Sequence, residues 1–346
     1  MQCGVLPHND DKRAMTIKMT AISDRRLLSC LIAALLAVLL FALTRGAVDL
    51  NWRAAVTDVS SLHGTILWQV RLPRALMAIV VGATLGLSGA ALQGLLRNPL
   101  AGPDLVGVTN CAALGAVLTL YFGLAGASWF ALPLGGMLGA GISVAIIFML
   151  AGRRASVLTL ILAGMAINAM VSSLIALALN FSANPFAMSE IVYWLLGSVA
   201  NRSNNDLLMT LPFMLAGWLL LLSSGRFLDA LSLGEETAQS LGFPVTALRW
   251  RVVGGVALCV GAAVSVSGSI GFIGLVVPHL LRPWVGYEPR RLLPASAIGG
   301  GLLLLIADLI VLAVPALREV KVGVITALIG GPFFLHLIYK NRSSLT

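Results

Sequence analysis

From Leu27 onward the chain alternates long, continuous apolar runs with short polar patches that hold most of its charge, glycine and proline. A hydrocarbon core about 30 Å thick needs roughly 20 apolar residues per helix. The runs Leu27 to Leu43, Ala75 to Leu96, Leu105 to Leu124, Phe130 to Ala151, Ser156 to Asn180, Leu207 to Leu222, Val252 to Val266, Leu292 to Val314 and Val322 to Ile338 are read as membrane-spanning helices. Ile270 to Leu281, between Gly268 and Pro283, is too short to cross alone and is read as a half-buried helix packed among the others. The pattern therefore predicts an all-α, polytopic bundle of about ten transmembrane helices. Strands are disfavoured because the runs do not alternate and a bilayer leaves an open sheet edge unsatisfied.

Residues 1–26 are polar and carry Lys12, Arg13, Lys18, Arg25 and Arg26. The apolar run behind them is longer than a usual signal core, and Arg45 spoils the small-residue stretch after it as a cleavage site, so the run is read as a first anchor. Met15 and Met19 leave the start of translation open. With the tail in the cytoplasm, Arg97, Arg153, Arg154, Arg226, Arg249, Arg251, Arg282, Arg290, Arg291, Lys340 and Arg342 join it on the inside. Arg45, Arg53, Arg71, Arg74, Arg202, Arg318 and Lys321 lie outside. That asymmetry is the positive-inside pattern for an even number of crossings and puts both termini in the cytoplasm of a bacterial inner membrane.

Composition agrees: of 346 residues 58% are hydrophobic and only 11% charged, against about 25% charged in soluble domains. The +9 formal charge is dispersed between apolar runs, which argues against nucleic acid as a partner. Cys3, Cys30, Cys111 and Cys259 show no paired spacing and are read as small buried hydrophobes. His8, His63, His279 and His336 are isolated, so no metal site is expected. Closely spaced glycines, Gly82, Gly86, Gly89 and Gly94, then Gly135, Gly136, Gly139 and Gly141, predict close helix contacts.

No phosphate-binding Gly-x-x-x-x-Gly-Lys-Ser/Thr loop occurs, and the cytoplasmic loops are too short for a nucleotide-binding domain. The chain is thus not expected to be an enzyme, and ATP with Mg would have to act in a partner subunit. Polar groups inside apolar runs are costly and draw attention to Gln93, Asn110, Asn168, Ser172, Ser173 and Asp308, for which helix-to-helix hydrogen bonding is the bland reading. In the loop after the sixth run a short helix is expected, because Glu235 and Glu236 suit a helix start, Gly242 a helix end, and Pro244 prevents continuation. Thr237, Ala238 and Leu241 would share one face of it.

Three stretches carry a resemblance. Arg71-Leu-Pro-Arg74 with Gly82 to Gly89, Gln93, Arg97-Asn-Pro-Leu100 and Pro103 to Gly107 is one. Gly268 to His279 with Arg282 is the second, and Gly323 to Phe334 the third. Together they resemble, in order, the signatures of the iron-siderophore, haem and cobalamin permeases of ABC importers. The resemblance implies a cobalamin-importer-like permease domain over 27–346, two permease copies in one assembly, either a homodimer or a pseudo-dimer, a pair of cytoplasmic ABC ATPase subunits and a periplasmic substrate-binding protein. It implies an ATPase-coupling loop near 226–250, with Leu233, Gly234, Glu235, Glu236, Thr237, Ala238, Leu241 and Gly242 as the coupling residues. Arg71 and Arg74 are implied to dock the binding protein, although snorkelling to lipid headgroups would also suit them. An outer arginine that some relatives carry after Ala307-Asp308 is absent, with Arg318 or Lys321 as substitutes. The translocation pathway is implied between the two copies along the fifth and tenth spans, where Asn168, Ser172 and Ser173 are the first candidates. Ferric siderophore is favoured as ligand, with cobalamin, haem or an oxyanion as alternatives. From other classes, an ion-gradient-driven transporter would rest on Asp308, and a scaffold would leave the loop helix unexplained.

Overall fold

The computed structural model describes residues 24–46, 48–126, 128–152, 156–182, 185–314 and 320–341. Most of the expected tail, with Lys12, Arg13 and Lys18, lies outside these residues, as do Cys3, His8, Arg153, Arg154, Arg318 and Arg342. Among the described residues there are helices and connecting turns and no strand. Seven helices among the described residues are long and apolar enough to cross a membrane, and three apolar ones are shorter.

The chain opens with α1 (Asp24–Thr44) and a short α2 (Trp52–Thr57), then enters α3, one helix over Leu62–Leu96. Its second run therefore begins well before Ala75. Ser61 caps it by accepting from the Gly64 N–H, and a π-helical turn at Ile66–Arg71 carries the chain through a polar stretch that hydropathy alone does not assign to a span. After a 3-10 turn at Pro103–Val106 come α4 (Val108–Tyr121), α5 (Ala131–Ala151) and α6 (Val157–Asn180), whose cap is Ser156. An unforeseen helix, α7 (Pro185–Leu195), precedes α8 (Asn204–Ser223), which starts at a reciprocal capping box between Ser203 and Asp206. Two short helices, α9 (Gly225–Ser232) and α10 (Glu235–Ser240), lead into α11 (Val245–Ser267), longer at its start than the expected Val252 to Val266. The broken segment is α12 (Ile273–Leu281), entered through left-handed Phe272 and followed by α13 (Pro289–Ala313) and α14 (Val322–Asn341).

Helix α3 is the centre. It is the most enclosed of the long apolar helices, α1 the least. A helix apolar on all sides belongs inside a bundle, and α3 packs against α13 most extensively, then α12, α11 and α8. Helices α4, α5 and α6 form a second group, joined to the first through α11. Cys111 and Cys259 are buried as expected, whereas Cys30 sits exposed on peripheral α1, where a thiol needs no protein cover.

Two devices hold α3 to α13. A Cβ at Gly82 would collide with the Gly300 carbonyl, one at Gly86 with the Ser296 carbonyl, and one at Gly300 with Gly82. The helix backbones therefore touch directly, which is how bundles cohere where lipid removes the hydrophobic drive between helices. Gly94 and Gly141 do not take part: Gly94 meets Leu228 at ordinary contact distance and Gly141 faces open space. The second device is a bidentate ion pair from Arg74 to Asp308, Nε to Oδ2 and Nη2 to Oδ1 both at 2.9 Å, with side chains 17% and 5% exposed.

Gly86→Ala should lower the melting temperature of the detergent-solubilised protein through overpacking worth about 1–3 kcal/mol, while Gly141→Ala leaves it unchanged; an equal loss in both would refute the contact. Removing one partner of a buried pair costs about 3–5 kcal/mol, whereas an apolar replacement of both is often close to neutral. Asp308→Ala should thus destabilise the protein more than the double variant Arg74→Met/Asp308→Leu, measured by the same melting curves.

Candidate functional site

The loop helix forms within the expected bounds, and its ends explain its rigidity. Gly242, at φ +84°, closes α10: its N–H donates to the Gln239 carbonyl at 2.9 Å and the Phe243 N–H to that of Ala238 at 3.1 Å. This is the paired end-closure that glycine permits, with Pro244 blocking continuation. Glu235 and Glu236 occupy the first turn, as the helix dipole favours. Glu235 then turns inward and accepts from Arg249 Nη2 at 3.0 Å, and the arginine is buried in the first turns of α11. Helix α9 was not anticipated; its pattern of Phe227, Leu228, Ala230 and Leu231 after the Ser223-Ser224-Gly225 break was the available signal.

The eight residues expected on the coupling surface divide. Ala238 is fully buried and serves as the seat of α10, so it does not share an exposed face with Thr237 and Leu241. Glu235 is tethered to α11. Glu236, Thr237 and Gly242 are exposed, and Leu233 and Leu241, at 69% and 60% exposure, flank the helix as two uncovered leucines. Gly234, at φ +117°, makes the turn between α9 and α10. The arrangement is a small, rigid protrusion with an apolar grip at each end, tied by an ion pair to a helix of the core.

At the other end of α3 the two arginines are already engaged. Arg71 is buried, donating Nη1 to the Leu43 carbonyl at 2.8 Å and Nη2 to that of Val48. Its guanidinium thus satisfies carbonyls at the end of α1 and just after it, a bonding that the docking expectation did not foresee. Arg74, held by Asp308, borders an outer cavity of about 340 Å3 that also meets Arg45 and Asn201. Both oxygens of Asp308, the carboxylate on which a gradient-driven reading would rest, accept from Arg74.

The pathway candidates also separate. Asn168 is half-buried, accepting from Asn110 Nδ2 at 3.0 Å and donating to the Asp104 carbonyl, so it ties α6 to α4 and to the turn before it. Ser172 and Ser173 are exposed, Ser173 bonding back to the Ala169 carbonyl at 2.9 Å. Buried residues of α6 form one stripe, Leu160, Ala163, Gly164, Ile167 and Val171, and the remaining face is open. Gln93 links α3 to the broken helix, donating to the Leu275 carbonyl at 3.3 Å and accepting from Arg282. Among the described residues no three His, Cys, Asp or Glu side chains cluster as a metal site, and the His279 ring packs edge-on against Phe333.

Known proteins resemble the whole arrangement. The hemin transport system permease HmuU of Yersinia pestis is 37% identical, over 93% of this chain and 97% of its own. The vitamin B12 import system permease BtuC of Vibrio cholerae is 39% identical, over 85% and 88%. The molybdate import system permease MolB of Haemophilus influenzae is 37% identical, over 84% and 86%. A solved structure described as an inward-facing, metal-chelate type ABC transporter superposes with a TM-score of 0.83 at 35% identity, covering 91% of this chain and 99% of that one. The model of the FecCD transport family matches residues 33–340. The chain belongs to the FecCD transport family and is a multi-pass membrane permease of an ABC importer of that type.

Proposed function

We propose that this permease carries a ferric siderophore or related iron chelate across the bacterial inner membrane, with both termini in the cytoplasm and a second permease copy, most simply of the same chain, completing the pathway. Importers of this type keep their ATPase in a separate subunit, where ATP and Mg act. The observation that carries the coupling reading is α10: a capped protrusion with two uncovered leucines, joined through Glu235 and Arg249 to the enclosed helix α11. Seated in a groove of the ATPase, it would pass movement of that subunit into the bundle. The open faces of α6 and α14 are where the second copy would meet this one, with Ser172 and Ser173 toward the path and Asn168 fixing the wall behind them. A lining without fixed charge suits a bulky ligand that must slide.

A periplasmic binding protein would deliver the ligand at the outer end of α3. In this reading Arg74 docks it by exchanging Asp308 for a carboxylate of the binding protein, which sets orientation and on-rate more than affinity. Breadth of the family supports the iron-chelate ligand, together with the metal-chelate description of the structural relative. A cobalamin or haem ligand is the second reading, supported by the relatives named for vitamin B12 and hemin import.

Cells lacking the chain should regain ATP-dependent uptake of labelled ferric siderophore on its re-expression with its ATPase and binding protein, with haem, cobalamin and molybdate run in parallel. Restoration of another ligand alone would reassign the substrate, and uptake without the ATPase would sink the ABC mechanism. Glu236→Arg combined with Leu241→Asp should abolish this uptake while leaving membrane abundance unchanged; normal uptake would remove α10 from the coupling role.

A further inference from the structure

At the α10 side of the bundle, where α3 ends, a cavity of about 190 Å3 is lined on its polar side by Gln93, Arg97, Ser232, Arg282 and Tyr287. No carboxylate lines it. Elsewhere Arg74 is paired with Asp308 and Arg249 with Glu235, while buried Arg71 is satisfied by the Leu43 and Val48 carbonyls. Arg282 is half-buried, yet its side-chain partner is the neutral Gln93 oxygen, and among the described residues no carboxylate pairs with it or with Arg97. Two arginines of like charge, the exposed Arg97 and the half-buried Arg282, line this small space; they repel each other, and Arg282 loses hydration. An anion between them relieves both costs.

Two of the cavity's residues sit at chain turns, Arg97 as the left-handed cap that ends α3. Arg97, at φ +49°, and Tyr287, at φ +64°, are two of the four non-glycine residues in the left-handed region among those described. Such conformations cost energy and persist where the surroundings hold them. Two guanidinium forks and the Tyr287 hydroxyl are donors that match the several oxygens of a phosphate, whereas the Ser232 hydroxyl already donates to the Asp229 carbonyl at 2.6 Å. The volume lies below the roughly 300–1,000 Å3 of pockets for drug-sized ligands, which excludes a nucleotide or a metal chelate and suits a single small anionic group.

We propose that this cavity binds one phosphate group, supplied either as inorganic phosphate or as the phosphodiester of an acidic phospholipid headgroup. Bound there, it joins the end of α3 to the turn between α12 and α13 and to Ser232, which immediately precedes the segment carrying α10. Occupancy would stiffen the base of the protrusion. The site rests on geometry alone and stands independently of which ligand is imported.

The test is thermal unfolding of the full-length chain in uncharged detergent, titrated with inorganic phosphate against chloride of equal ionic strength, and with short-chain phosphatidylglycerol against phosphatidylcholine. A saturable rise in melting temperature with at least one phosphate probe is expected, weakened tenfold or more in apparent affinity by Arg97→Gln, an exposed position whose loss leaves the Arg282 to Gln93 bond in place. Arg282→Gln provides a second variant. A response to phosphate assigns a soluble anion, and a response to phosphatidylglycerol alone assigns a lipid. No saturable rise with either, or an undiminished rise in Arg97→Gln, overturns the proposal.

Discussion

Direct backbone contact between α3 and its neighbours sets the geometry of everything else. Inside a bilayer, burying a leucine against another helix gains little over leaving it in lipid, so association depends on close approach and on polar groups satisfied across helices. Gly82 and Gly86 lie against Gly300 and Ser296 of α13, and Gly89 lies against Gly274 of α12. At that separation the side chains around the contact have short, fixed reaches. Arg74 meets Asp308 near one end of α3, Gln93 meets Leu275 and Arg282 near the other, and Trp218 of α8 donates to Thr84 at 2.9 Å between them.

Charge in this bundle follows the same logic at both ends. At the end of α3 away from α10, Arg71 is absorbed by the Leu43 and Val48 carbonyls and Arg74 by a carboxylate 234 residues away in sequence. On the α10 side, Arg249 is neutralised by Glu235 and thereby turns a loop helix into an extension of the core. A charge placed near an apolar interior acts as a fastener where a partner is supplied. It becomes a binding feature where none is.

Run length and continuity made the apolar helices legible, and the acid-start, glycine-end pattern made α10 legible, because both signals are local. What escaped was set by distant contacts. The outer turns of α3 contain Trp68, Gln69 and Arg71 and read as polar, yet they are helical because Ser61 caps them and Trp68 donates to the Ala55 carbonyl at 3.1 Å. The first turns of α11 hold Arg249 and Arg251, and the pairing with Glu235 supports burial of the former. Likewise the partners of Arg71 and Arg74 were unreadable, since exposure was inferred from a topology rule that knows nothing of Leu43, Val48 or Asp308. Ala238 shows the limit within a single helix: its neighbours in sequence are exposed, and the core beneath α10 decides that it is not.

The π-helical turn at Ile66–Arg71 has a consequence for how such chains can vary. One extra residue in a helical turn rotates what lies beyond it by about 100° relative to an uninterrupted α-helix. Such a turn absorbs a single-residue change in length locally, so the outer segment from Leu62 can alter its register while the interior, where Arg74 grips Asp308 and Gly86 lies on Ser296, stays in place. A change of length on the Leu62 side of this turn is therefore expected to leave the glycine-lined centre in register, whereas one inside that centre would not.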